Sequence, residues 1–275
     1  MKLGFIGAGN MGGALIGGII KSKYLEPCDV YVIDLEIEKC NDLKNAYGIR
    51  ILKDIEEICI NCDTIILSVK PNMYKYIMES IREACDETSL MQKIIVSIAA
   101  GISVDYMEKI FISNVKIVKA MPNTSAMIGE SMTAICKNKN VSQKEFDSVV
   151  KIFECVGKCR TIGEKLMDIV PGISASSPAY VYMFIEALAD GAVLEGMNRN
   201  DAYFFASQAV LGAAKMVLES GKHPGELKDM VCSPGGTTIE AVYSLERDNF
   251  RGAVMKAVKE CTKKNRILSD DNKDK

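Results

Sequence analysis

The sequence predicts an α/β protein in two parts, an alternating strand–helix half followed by an all-helical half. Three observations predict it. Short apolar, β-branched runs recur between helical stretches through the first half of the chain. No convincing strand follows Gly163. The helices beyond that point are poor in charge: from Ser174 to Leu218 the charged residues are Glu186, Asp190, Glu195, Arg199, Asp201 and Lys215. Continuous apolar strands separated by helices indicate a parallel sheet covered on both faces. Long helices with so little charge must bury most of their surface. One helical layer would not hide that much, so an obligate two-fold homodimer is expected. The boundary falls near Gly163, dividing 1–162 from 163–275. The length of 275 residues agrees, at about 150 residues per domain.

Taken in order, Lys2–Gly7 reads as a short strand. Asn10–Ser22 has helical character and begins on a glycine turn. Val30–Asp34 is the next strand, followed by a charged helix from Glu36 to Ala46. Thr64–Val69 is a continuous apolar strand stopped by Lys70-Pro71. Ile94–Ile98 and Val115–Lys119 repeat the pattern around a helix from Ser103 to Ile110, with Ser103 placed to cap it. Met132–Cys136 and Arg160–Ile162 flank a helix near Ser142–Cys155. Lys263–Lys275 is nearly all polar and is expected to fray.

Composition removes several classes of function. Lys plus Arg total 34 and Asp plus Glu 36, a net charge of −2, so the basic footprint of a nucleic-acid binder is absent. The single histidine, His223, cannot build a multi-histidine metal site, and no metal is expected. The ten cysteines are scattered. The lone Cys59/Cys62 pair has no matching second pair, so neither a zinc site nor a disulfide framework is indicated. Gly7, Gly9, Asn10, Gly12 and Gly13 interrupt the apolar N-terminal run, which argues against a signal peptide. No window gives the roughly 18 apolar residues of a membrane span. A cytoplasmic protein with reduced thiols is expected.

Three constellations carry chemistry. Gly7-Ala8-Gly9-Asn10-Met11-Gly12 is a GxGxxG between a strand and a helix, the context a dinucleotide site requires. Gly7 permits the tight turn, Gly9 lets the backbone approach a pyrophosphate, and Gly12 allows close helix–strand packing. Asp34 ends the second strand, where an acid hydrogen-bonds the adenosine ribose. Its charge would repel a 2′-phosphate and leans toward NADH, although Lys39 or a nearby loop could offset it, so NADPH and NADH both stand. The first half is therefore expected to be a Rossmann-like dinucleotide-binding domain.

The second constellation is a set of small or polar loops at strand ends: Ser68-Val69-Lys70-Pro71, Ala99-Ala100-Gly101 and Met121-Pro122-Asn123-Thr124. Together they outline a nicotinamide pocket. The third is Ser233-Pro234-Gly235-Gly236-Thr237-Thr238, a glycine loop ahead of a helix from Ile239 to Leu245. Successive N–H groups there form an anion nest, and a carboxylate is the natural guest. His223 reads as a helix-start residue beside Pro224 rather than a catalyst.

These blocks resemble the pyrroline-5-carboxylate reductase family. The resemblance runs over nearly the whole chain: FIGAGNMG at 5–12, SVKP at 68–71, AMPNT at 120–124, GESMTA at 129–134, SPAYVYMFIEALADGAV at 177–193, LGAAKMVLES at 211–220 and HPGELKDMVCSPGGTTIEAV at 223–242. It implies a Rossmann domain joined to a C-terminal all-α dimerisation domain interleaved between two subunits, with some members stacking five dimers into a decamer. It implies reduction of L-1-pyrroline-5-carboxylate to L-proline with NADPH or NADH. By motif, Gly7, Ala8, Gly9, Asn10, Met11, Val69, Lys70, Pro71 and Ala99 would contact the cofactor. Ser233 and Gly235–Thr238 would hold the substrate carboxylate, and Thr238 would hydrogen-bond the ring nitrogen as the catalytic residue. The chain departs from the family pattern at Ala126, Ala175, Ser177 and Met230.

Two rival readings remain to be weighed. A β-hydroxyacid dehydrogenase shares the two-domain plan but uses a lysine on the long helix after its first domain. No lysine lies between Lys165 and Lys215 here. A non-catalytic NAD(P) sensor would have no need of the Ser233–Thr238 nest.

Overall fold

The computed structural model describes residues 1–112 and 114–273. In chain order the elements are β1 (Leu3–Ile6), α1 (Asn10–Lys21), β2 (Val30–Ile33), α2 (Ile37–Tyr47), β3 (Arg50–Ile51), α3 (Ile55–Asn61), β4 (Thr64–Leu67), α4 (Tyr74–Ala84), α5 (Glu87–Gln92), β5 (Ile94–Ser97), α6 (Val104–Phe111), β6 (Lys116–Met121), β7 (Ser131–Lys137), α7 (Gln143–Glu154) and β8 (Gly157–Thr161). There follow α8 (Ser177–Leu194), α9 (Arg199–Ser220), α10 (Pro224–Val231), α11 (Thr237–Arg247) and α12 (Phe250–Lys273). Two compact units result: Met1–Ser176 with Glu260–Lys275, and Ser177–Lys259. Residues between Gly163 and Ser176 pack with the sheet because the turns after β8 stay against it. Met167 and Val170 are buried in one of its cores.

The first unit is one sheet in the order β3-β2-β1-β4-β5-β6-β7-β8. Every strand of β1, β2, β4 and β5 is buried along its whole length. Side chains alternate between faces. Leu3, Phe5, Val30, Val32 and Ile66 enter a core with Leu15, Ile16 and Ile19 of α1 and Phe146, Val149 and Phe153 of α7. Ile6, Ile33, Ile65 and Leu67 enter the opposite core, with Ile58 of α3, Met78 and Ile81 of α4, and Met107 and Phe111 of α6. Two covered faces explain why these strands read as continuous apolar runs instead of alternating ones.

The expected parallel sheet needs one correction. β7 runs antiparallel to β6, while the other neighbouring pairs are parallel. The link between β6 and β7 is a short turn at Thr124–Ile128 closed by Gly129 at φ +77°, too short for the crossover a parallel pair requires. Local caps follow the sequence. Ser103 accepts from Tyr106 N–H (3.0 Å) at the start of α6, and Ser142 with Glu145 forms a capping box on α7. The region also holds β3, α3, α4 and α5, which the sequence reading did not place.

The expected fraying at the C-terminus is also corrected. α12 continues to Lys273; Asp274 and Lys275 lie outside the described residues. Its polar residues Thr262, Asn265 and Ser269 are buried. Asn265 Nδ2 donates to the Asp168 carbonyl at 3.3 Å.

The second unit contains no strand among the described residues. Asn198 caps α9 by accepting from Asp201 N–H (2.9 Å), and Arg199 pairs with Asp190 of α8. In this unit the buried apolar residues are alanines: Ala189, Ala202 and Ala206. Many of its large apolar side chains are exposed, Met183 by 69%, Phe204 by 71% and Leu218 by 81%. Apolar surface on this scale marks an interaction face. Among the described residues, no helix is long and apolar enough to cross a membrane.

Candidate active site

One candidate site is built on β1. Gly7 turns the chain at φ +108°, and a Cβ there would meet the Ser68 carbonyl oxygen at 2.6 Å. A Cβ on Gly12 would lie 2.5 Å from the Gly7 oxygen and 2.9 Å from Ser68 Oγ. Both positions therefore require glycine for internal packing. Gly9 is different: nothing lies within 4 Å of a Cβ built on it. It is the N-cap of α1, without a side-chain cap, and the first helical bond is Gly13 N–H to the Gly9 carbonyl (2.8 Å). The leading N–H groups of α1 thus have no partner within the helix, and the open side of Gly9 leaves them approachable. This fits a pyrophosphate.

Asp34 follows β2 and pins the loop. Its Oδ2 accepts from Ala8 N–H at 2.6 Å and its Oδ1 from Glu36 N–H at 2.8 Å. Lys39, the residue that could offset its charge, is bound to Glu36 at 2.5 Å. That hydrogen bond raises the Lys39 pKa. Ser68 ties the next strand to the same loop, donating to the Gly7 carbonyl at 2.6 Å.

Because β1, β4, β5 and β6 are neighbours and parallel, the loops after them share one edge. Gly7–Met11, Asp34, Val69–Pro71 and Ala99 all lie along the carboxyl edge of β2, β1, β4 and β5. Lys70 and Pro71 are exposed, and Ala99 is buried. Asn123 extends this edge beyond β6, its Nδ2 donating to the Ser174 carbonyl at 2.9 Å.

A second candidate site lies in the other unit. α10 starts at His223, whose Nδ1 accepts from Gly225 N–H (3.0 Å), so the one histidine acts as a helix cap. The loop after α10 turns at Gly235, φ +64°. Gly236 donates to the Ser233 carbonyl (3.0 Å) and caps α11 with no side-chain partner. Ser233, Gly235 and Thr237 are exposed; Gly236 and Thr238 are half-buried. Several other helices receive a side-chain cap, from Asp54, Asp86, Ser103, Ser142 and Asn198. α1 and α11 instead begin at glycine, so their first N–H groups have no side-chain acceptor from the capping residue.

Comparison with known proteins covers both halves. Residues 164–268 match the family model for pyrroline-5-carboxylate reductase dimerisation, and residues 2–101 match that for NADP oxidoreductase, coenzyme F420-dependent. The chain is 46% identical over 268 residues to the pyrroline-5-carboxylate reductase of Escherichia coli strain K12, covering 98% of each. It belongs to the pyrroline-5-carboxylate reductase family. Among solved structures, the pyrroline-5-carboxylate reductase of Coxiella burnetii matches with a TM-score of 0.91 at 30% identity, covering 98% of both chains. The pyrroline carboxylate reductase of Plasmodium falciparum, with NADP bound, matches with a TM-score of 0.86 at 34% identity, again over 98% of both. A pyrroline-5-carboxylate reductase relationship over both halves removes the β-hydroxyacid dehydrogenase alternative.

Three residues that hold the loops of the cofactor edge together carry no signal in the sequence. Ser68 falls in one of the loops expected to outline the nicotinamide pocket, with no sign of its bond to the glycine loop. Tyr74 and Ser97 lay in no motif. Ser68 and Tyr74 meet backbone atoms of other segments, and Ser97 joins Tyr74 to Ala99 N–H, relations that no local pattern displays.

Proposed function

We propose that this chain reduces L-1-pyrroline-5-carboxylate to L-proline with NADPH or NADH, the last step of proline biosynthesis. One observation carries the reading: a single chain, alike over its whole length to reductases of this name, keeps both glycine-capped helix starts, at Gly9 and at Gly236. Gly7, Ala8, Gly9, Asn10 and Met11 hold the cofactor's pyrophosphate at the start of α1, and Asp34, Val69, Lys70, Pro71 and Ala99 complete that site. When bound, the reduced nicotinamide supplies the hydride that the imine carbon accepts. Ser233, Gly235, Gly236 and Thr237 hold the substrate carboxylate through backbone N–H groups and hydroxyls. Thr238 hydrogen-bonds the ring nitrogen, which gains a proton as the double bond is reduced. No histidine is needed, since orientation supplies most of the rate.

Residues 1–162 serve the cofactor, and residues 163–275 serve the substrate and a homodimer. The exposed apolar side chains of α8 and α9 support that dimer. Sedimentation distinguishes it from a decamer of five dimers. Ten free cysteines suit a reducing, cytoplasmic setting. The test is to mix the purified protein with pyrroline-5-carboxylate and either cofactor. Proline should form as the reduced nicotinamide absorbance falls; no loss of absorbance with either cofactor would end the proposal.

A further inference from the structure

The β4–β5 ladder ends at the pair Leu67↔Ser97. Beyond it the two chains separate into the Ser68–Pro71 and Ala99–Gly101 loops. The Leu67 carbonyl and the Ile98 N–H are therefore left at the point where strand pairing stops. One side chain serves both. Tyr74, the first residue of α4, is fully buried. Its Oη donates to the Leu67 carbonyl at 2.5 Å and accepts from Ile98 N–H at 3.2 Å. It also accepts from Ser97 Oγ at 3.3 Å, and Ser97 Oγ in turn accepts from Ala99 N–H at 3.4 Å. A phenol has one proton to donate and two lone pairs to accept with; here all three are used.

We infer that Tyr74 is a positioning residue of the cofactor site, a bolt fixing the Val69–Pro71 loop relative to Ala99. The inference rests on the cofactor reading proposed above. Tyr74 does not need to touch the cofactor. It sets the spacing of two loops that must grip one ring between them, and small displacements of binding groups weaken binding steeply. Burial raises its pKa to about 12, against the lowering effect of the Ser97 hydrogen bond, so the donated proton stays in place at physiological pH. Ser97, also fully buried, extends the same bolt to Ala99.

Tyr74→Phe keeps the ring in the core and removes only the bolt. The expected result is a KM for NADPH or NADH raised about tenfold, with kcat and the KM for pyrroline-5-carboxylate held within about twofold. Ser97→Ala should give a smaller rise in the same constant, and the double variant should add little to Tyr74→Phe because the two share one chain of hydrogen bonds. A fall in thermal midpoint with an unchanged cofactor KM in both single variants would overturn the inference and leave Tyr74 a core residue. Should Tyr74→Phe fail to fold, Ser97→Ala decides by the same constants. If the wild-type protein itself shows no turnover, the functional proposal fails; calorimetric NADPH binding to wild type and Tyr74→Phe then still decides the bolt, with equal affinities counting against it.

Discussion

Gly9→Ala separates ligand chemistry from folding in the glycine loop. The added methyl meets no protein atom within 4 Å. Gly9 sits at φ −70° and ψ −175°, a backbone conformation open to alanine. The folding cost is then only the weaker capping propensity of alanine, under about 1 kcal/mol, or a thermal midpoint lower by at most about 4 °C. The methyl does occupy the side from which a pyrophosphate must approach the α1 N–H groups. Losing one charge-assisted hydrogen bond costs about 1.5–3 kcal/mol, a rise of roughly 10- to 100-fold in Kd. Gly12→Ala is the contrast: its Cβ would collide with the Gly7 oxygen at 2.5 Å, so stability falls by about 1–3 kcal/mol even without ligand. Isothermal calorimetry with NADPH and thermal unfolding of the ligand-free protein read the two effects. Wild-type NADPH affinity in Gly9→Ala would refute the reasoning, as would a loss of stability equal to that of Gly12→Ala.

Three further outcomes are expected. Thr238→Ala should lower kcat by about 10- to 100-fold, the scale of one hydrogen bond to a charged group, with NADPH affinity unchanged; wild-type steady-state kinetics would remove Thr238 from the mechanism. Asp34→Ser removes a negative charge and the acceptor for Ala8 N–H, so both cofactors should bind more weakly, while the NADPH-to-NADH ratio of kcat/KM rises about tenfold, the scale of one unit charge near a phosphate; an unchanged ratio would count against Asp34 as a cofactor selector. Burial raises the Glu145 pKa, but hydrogen bonds from Lys116 and Ser142 outweigh it and bring it down to about 2 from the ordinary 4.5. A depressed carboxylate pKa stabilises the fold above the unfolded value and loses that contribution as pH falls toward 2. Glu145→Ala should therefore lower the thermal midpoint at neutral pH, by an amount worth about 1 kcal/mol for this partly exposed pair, and the deficit should shrink below pH 4.5; a deficit constant with pH would contradict the assignment.

The sequence made the cofactor half legible where the signal is local. Gly7, Gly9 and Gly12 stand at positions whose roles follow from spacing alone, and apolar runs such as Thr64–Leu67 mark buried strands. Features that depend on distant partners were not legible. β3 is only Arg50–Ile51, too short for a periodic signal. The phenol of Tyr74 meets backbone atoms at the end of β4 and just past β5, which no motif encodes. The end of α12 buries Thr262, Asn265 and Ser269, so a search for apolar periodicity passes over it. Glycine and hydroxyl residues crowded before a helix make the Ser233–Thr238 loop readable as an anion nest for a carboxylate, whereas the identity of that carboxylate rests on the family resemblance.

Direct hydride transfer from the nicotinamide to the imine carbon is tested by running the reaction with NADPH carrying deuterium on one face of the nicotinamide C4, then on the other. Proline should carry the label at its δ-carbon with one isotopomer and none with the other. Unlabelled proline from both would contradict it.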